Sequence, residues 1–260
     1  MTGVRLTDNN ANIADLSDQN RPTKLAEKYA DLYDNQWTDA FAYLQTVDVF
    51  KDAVEKRIID TLLAILVEAF TLSTETATKQ LDTIRKVLED FYGKSSHNRE
   101  KVRDLIKQLK DQRKKVPQPS MDLEKEYKVT LSRKIKHLPS SLLESEAFKP
   151  FVQQCLELCW LMAIQDPPLY LTLENCKTDQ IFDGNTFKEY IESGPYVEFV
   201  VWPAVFLEKD GPLLCKGVVQ CKKYKLFQLR KKDGSQTGKR QAKSMYHKET
   251  TLTSTLSLDT

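Results

Sequence analysis

Residues 58–70 read IIDTLLAILVEAF, and the fold class turns on what this run is. It is apolar nearly all round, as a helix at the centre of a bundle is. Thirteen residues are too few for a membrane span, and Asp60 and Glu68 lie inside it. The run belongs to a longer window: from Thr23 to Val116 there is no proline and a single glycine, Gly93, with apolar residues spaced three and four apart. That pattern predicts consecutive amphipathic helices.

Outward from this centre, Pro22 suits the first turn of a helix through Leu25, Tyr29, Leu32 and Tyr33. A break near Asp34–Asn35 starts a second helix with Trp37, Phe41 and Leu44. The central helix is expected over about 48–71. Ser/Thr-rich punctuation at 71–76 separates it from a fourth helix through Ala77, Leu81, Ile84, Leu88 and Phe91, which Gly93 stops. Helices over about 98–115 and 121–137, parted by Pro117 and Pro119, then form a basic helical hairpin, docked on the body or projecting from it. Ser141 with Glu144 reads as a capping box opening a helix through Trp160, kinked or restarted at Pro150. Residues 169–184 read as a loop with a short strand at 169–173. Thr186 with Glu189 reads as a second capping box, on a short helix closed by Gly194-Pro195. VEFVVWPAVFL (197–207) fits strand or helix by pattern; Pro203 within it favours a buried helix. GPLLCKGVVQ (211–220) supplies a last buried element. The expected architecture is mainly α: a multi-helix bundle with a basic hairpin at about 98–137 and an irregular or β segment near 169–184. Residues 1–20 are a disordered leader, 21–221 the folded domain and 222–260 a basic, disordered tail.

Composition narrows the function. In 260 residues, 29% are charged and 40% hydrophobic, which suits a folded chain rather than wholesale disorder. The net charge of +2 hides an asymmetry. Residues 99–137 hold thirteen Lys/Arg against six acids, and 222–260 hold ten against three, each a net +7. Two positive regions raise an anionic partner, be it lipid head groups, RNA or an acidic protein, against the alternative of a solvated helix face and a disordered tail. Helix 99–115 has no aromatic residue among its cations, which disfavours RNA, and a diffuse anionic lipid surface fits better.

Chemistry is not signposted. Gly234–Lys239 is one residue short of a P-loop, and Arg240 stands where a magnesium-binding hydroxyl belongs. The cysteines (Cys155, Cys159, Cys176, Cys215, Cys221) form no CxxC pair, and His97, His137 and His247 lie far from them in sequence, so reduced thiols are expected and neither metal nor cofactor. No nucleophile–base–orienter set is marked, and the chain is expected not to be an enzyme. Trp37, Trp160 and Trp202 sit in apolar stretches and read as core rather than as an aromatic cage.

Three stretches, NRPTKLAEKYADLYDNQWTDAF (20–41), CWLMAIQDPP (159–168) and SGPYVEFVVWPAVFLEKDGPLLCKGVVQ (193–220), together resemble the C-terminal domain of the mitochondria-eating protein family, over about residues 20–221. The resemblance implies a non-enzymatic adaptor of mitochondrial quality control, cytoplasmic and associating with the mitochondrial outer membrane. It implies cardiolipin binding, self-association and contact with other quality-control proteins, with nucleic acid disfavoured. Family members place a long coiled coil ahead of this domain. Here only a short polar leader precedes it, and residues 1–116 sustain no a/d heptad with charged e/g positions. The resemblance carries no residue-level site, so candidates come from charge alone: Arg99, Lys101, Arg103, Lys107, Lys110, Arg113, Lys114, Lys115, Arg133, Lys134 and Lys136, with Lys231, Lys232, Lys239 and Arg240 in the tail.

Overall fold

The computed structural model describes residues 18–51, 53–93, 95–116, 118–172 and 178–224. The expected leader and tail lie outside the described residues except for 18–20 and 222–224. Helix α1 spans Pro22–Leu32 with Pro22 in its first turn, and buries Leu25, Tyr29 and Leu32. The break expected at Asp34–Asn35 is a π-helical turn, Tyr33–Trp37, so the chain stays helical into α2 (Thr38–Thr46). A 3-10 turn, Asp48–Phe50, leads to α3.

Helix α3 runs unbroken from Glu55 to Tyr92, 38 residues, or roughly 57 Å. It therefore begins later than the predicted 48 and has no punctuation at 71–76. Thr71 donates its hydroxyl to the carbonyl of Val67, and Thr83 does the same to Lys79. With the hydroxyl so returned to the preceding turn, Thr is tolerated in a helix interior. Gly93, at φ 79°, ends the helix as expected, its N–H donating to Glu89 O.

The first half of α3 is the centre of the molecule. Ile58, Ile59, Leu62, Ile65, Leu66 and Ala69 are buried in one cluster, and Ala77 is the last α3 residue in it. Around this half pack α2, α5 (Met121–Lys134) and α7 (Lys149–Ala163), with α1 against α7. Helix α4 (Ser96–Arg113), capped by Ser95 Oγ, packs on the second half of α3. The expected hairpin of 98–137 is thus not one: α4 and α5 lie on different stretches of α3, and the hairpin partner of α4 is α3 itself. A short helix α6 (Ser140–Leu143) precedes α7, and its N-cap is Pro139 rather than Ser141. The restart at Pro150 holds, since that proline lies in the first turn of α7.

Between 170 and 222 the described chain is built of short strands: one falls at 170–171, inside the strand expected at 169–173, while 187–189 and 196–202 are strands where helices were favoured. Strands β1 (Tyr170–Leu171), β4 (Val205–Phe206) and β5 (Leu213–Cys215) form one antiparallel sheet in the order β1-β4-β5. Strands β2 (Phe187–Glu189), β6 (Gly217–Lys222) and β3 (Tyr196–Trp202) form a second, with β6 central, parallel to β2 and antiparallel to β3. Pro203 does stay out of a ladder, but the strand ends one residue before it. The freed Pro203 carbonyl accepts from the Tyr29 hydroxyl at 2.9 Å, fastening the β layer to α1. Thr186 caps no helix. Its hydroxyl donates to Asp183 at 2.6 Å in a turn that delivers residues 187–189 alongside β6. Gly217 is required there: a Cβ would lie 2.6 Å from Ala204 N and Trp202 O.

Candidate functional site: a basic flank on an extended helical arm

Beyond Ala77, α3 and α4 form an antiparallel arm with a narrow apolar seam. Its register is fixed at both ends. Asn98 Nδ2 donates to Tyr92 O near the tip, and Arg113 Nη1 donates to Ala77 O at 2.9 Å at the base. Val102 and Ile106 are the buried α4 residues of the seam. Residues spaced three and four apart share a helix face. Arg99, Arg103, Lys107 and Lys110 follow that spacing and, with Arg85 and Glu89 of α3, line an open groove of about 500 Å³ on one flank of the seam.

The candidate cations divide into groups. Arg99, Arg103 and Lys107 are exposed on this flank and make no ion pair among the described residues; Lys114, the C-cap two turns past Lys107, is half-buried. Lys110 is already engaged, 2.8 Å from Asp166 after α7. Arg113 is half-buried, and burial lowers its pKa, with nearby Asp166 acting in the opposite sense. Its Nη1 donates to Ala77 O, so Arg113 closes the base of the arm rather than presenting charge, and its Nε has no hydrogen-bond partner among the described residues. Lys101 and Lys115 lie on the far side of α4. Arg133 and Lys134 end α5 and Lys136 follows it, beside the first half of α3. His137, next to them, is 2.8 Å from Thr61, whereas Arg113 meets α3 at Ala77. Those α3 positions are sixteen residues apart, roughly 24 Å along the axis. Lys134 is also spent, 2.6 Å from Glu68. The candidate cations therefore form no single patch, and the tail residues Lys231, Lys232, Lys239 and Arg240 lie outside the described residues.

The sequence reading missed Arg85, which joins the groove because α3 is continuous. The absence of Gly and Pro between 72 and 92 was the signal that places it there.

Among the described residues, no group of three or more His, Cys, Asp or Glu side chains converges as a metal site requires. Cys155 and Cys159 are buried and free, and burial pushes both thiols far up. Trp37 and Trp202 are packed in an aromatic cluster with Tyr29, Tyr33 and Phe41, not arranged as an open cage. No described helix is long and apolar enough to cross a membrane.

Compared with known proteins, residues 21–221 match the family model described as mitochondria-eating protein. No curated protein and no solved structure matches.

Proposed function

The chain belongs to the mitochondria-eating protein family, a membership that implies a role in mitochondrial quality control, and from that premise we propose that it is a non-enzymatic adaptor whose α4 flank binds anionic mitochondrial lipid. The observation that carries this reading is the stripe Arg99, Arg103 and Lys107, free of ion pairs among the described residues, with half-buried Lys114 beyond it and Arg85, itself paired with Asp82 at 3.1 Å, across the seam. Each such cation near an anionic membrane contributes about 1 kcal/mol. Cardiolipin, with two phosphates per headgroup, suits cations repeated along a helix. The protein acts from the cytoplasmic side, at the mitochondrial outer membrane, alongside other quality-control proteins.

The test is co-sedimentation of the protein with vesicles containing cardiolipin or charge-matched phosphatidylserine, across a salt series. The reading expects tighter binding to cardiolipin and a loss of about 3 kcal/mol, roughly a hundredfold, on reversing Arg99, Arg103 and Lys107 together. Undiminished binding by the reversed variant overturns the assignment of the surface. No vesicle binding at low salt favours a second reading, a helical scaffold for protein partners, which the exposed Val87 and Phe91 on the α3 part of the arm support.

A further inference from the structure

A groove of about 490 Å³ lies between the end of α1 and the outer face of α7. The π-helical turn shapes it. The buried stripe Leu25, Tyr29, Leu32 would continue at residue 36 in an unbroken α-helix, but the turn passes the next buried position to Trp37. Gln36 is thereby left on the groove wall, with Asn35 and Asp31. Turns of this kind recur at functional sites. Gln154 and Glu157 of α7 form the facing wall, over a floor of Leu32, Leu158 and Leu161. An apolar floor with a few polar groups above it is the usual make-up of a binding site. The charge of this groove is uncompensated. Asp31 and Glu157 are exposed and make no ion pair among the described residues. Lys28, the lysine of the groove, donates instead to Asn20 Oδ1 at 3.0 Å. Burial, then the charge of Glu124, raises the pKa of Glu157, as befits a carboxylate with like charge nearby and no cation against it.

We infer that this groove receives the chain's own basic segment 225–243, with Arg230, Lys231 and Lys232 set against Asp31 and Glu157. The segment carries seven Lys/Arg against one acid, Asp233. Its point of departure favours it over a cation from elsewhere. Tyr224, where the described chain ends, shares a surface groove with Lys56. Beside Lys56, Glu55 accepts from the Tyr190 hydroxyl at 2.9 Å, and the Tyr190 ring meets that of Trp37 edge-on at 6.3 Å. That relay places the departure point a few side chains from Gln36. Residues 230–232 follow Tyr224 by six to eight positions, a reach of roughly 20–26 Å when extended. The acids nearer the departure point are already balanced: Glu192 and Glu198 share their groove with Lys56, Lys222 and Lys223. Leu229 and the methylene stems of Arg230 and Lys231 match the leucine floor. The amides of Asn35, Gln36 and Gln154 supply donors and acceptors for the backbone of the segment. While docked, its cations are neutralised and withheld from any anionic surface. The inference stands whether or not the α4 flank binds lipid.

Limited digestion of the full chain with chymotrypsin, in the absence of lipid, tests it, with the cut after Phe227 followed by mass spectrometry. Cleavage tracks the population in which the segment is released. The wild-type cut is expected to be slow at low salt and about tenfold faster at high salt, which screens the pairing. D31K/E157K, at exposed positions that leave the fold intact by circular dichroism, is expected to speed the cut about tenfold at low salt, and R230E/K231E/K232E to do the same. Combining the two sets of reversals is expected to restore slow cleavage. One rate in wild type and D31K/E157K overturns the proposal, as does a combined variant without rescue. Protection that grows with protein concentration also overturns it, because the segment then sits on another copy. A cut that is fast in every variant, with oligolysine captured by the wild type and not by D31K/E157K, overturns it too and gives the groove to a cationic partner.

Discussion

At the scale of single residues, two polar contacts hold the layers in place. Tyr29 is fully buried and its hydroxyl reaches the Pro203 carbonyl, with its ring 4.9 Å from that of Trp202. Tyr29→Phe keeps the ring but leaves that carbonyl unpaired, a loss of about 1–3 kcal/mol that urea denaturation will read. Tyr29→Ala adds a cavity and costs about 3–5 kcal/mol. His137 reports on the α3–α5 contact. Its Nε2 is 2.8 Å from Thr61 Oγ1, its ring meets Phe50 edge-on, and burial followed by the charge of Arg57 lowers its pKa below 6.5. Because the folded pKa is depressed, the unfolded chain binds the proton first. This histidine's contribution is therefore present above about pH 6.5 and is lost as pH falls through the folded pKa. His137→Gln is expected to flatten the stability profile in that window, and an unchanged slope would assign the titration to other groups.

At the scale of elements, Gly217 sets how closely β6 approaches Trp202 and Ala204. Gly217→Ala drives a methyl into backbone atoms at 2.6 Å that cannot swing aside. The expected cost is about 1–3 kcal/mol, visible as a lowered Tm, with the helical far-UV signal of the folded state kept. The same region shows where the sequence is legible and where it is not. The period-3.6 stripe made α1, α2 and the central helix readable from residues alone, and Gly93 marked the end of α3. The Ser/Thr run at 71–76 misled because a hydroxyl's choice between capping and bonding back to the previous turn depends on what is buried beside it, and Leu72 and Ser73 are buried. Thr186 and Glu189 matched a capping box, yet β6 offers an unpaired strand edge at that point, and long-range pairing outweighs a local cap. Val197–Leu207 had no period to decide it; its ladder partner, Gly217–Lys222, lies about twenty residues downstream and had to be seen in space.

At the scale of the whole molecule, the charge was legible but its distribution was not. Counting Lys and Arg located α4, while only the fold separates Arg99, Arg103 and Lys107 from the latches Lys110 and Arg113 and from the distant end of α5. That separation makes the arm a semi-independent unit. Up to Ala77, α3 is enclosed by helices and strands; past it, Val102 and Ile106 are the only α4 residues fully buried against it. Local stability follows the burial and packing of a segment, so the arm should open more often than the body. In dilute solution, amides of 80–92 and 98–109 are expected to exchange faster than those of 58–70, where the same α3 backbone is in the core. Arg113 joins the two regimes, since it closes the base of the arm on Ala77 O. Arg113→Met removes a hydrogen bond from a charged donor, about 1.5–3 kcal/mol, and should speed arm exchange about tenfold or more while leaving residues 58–70 unchanged. Uniform protection along all of α3, or a matching acceleration at 58–70, would mean that arm and body unfold as one unit, and that the basic flank is presented by a rigid lever rather than by a limb able to tilt toward its target.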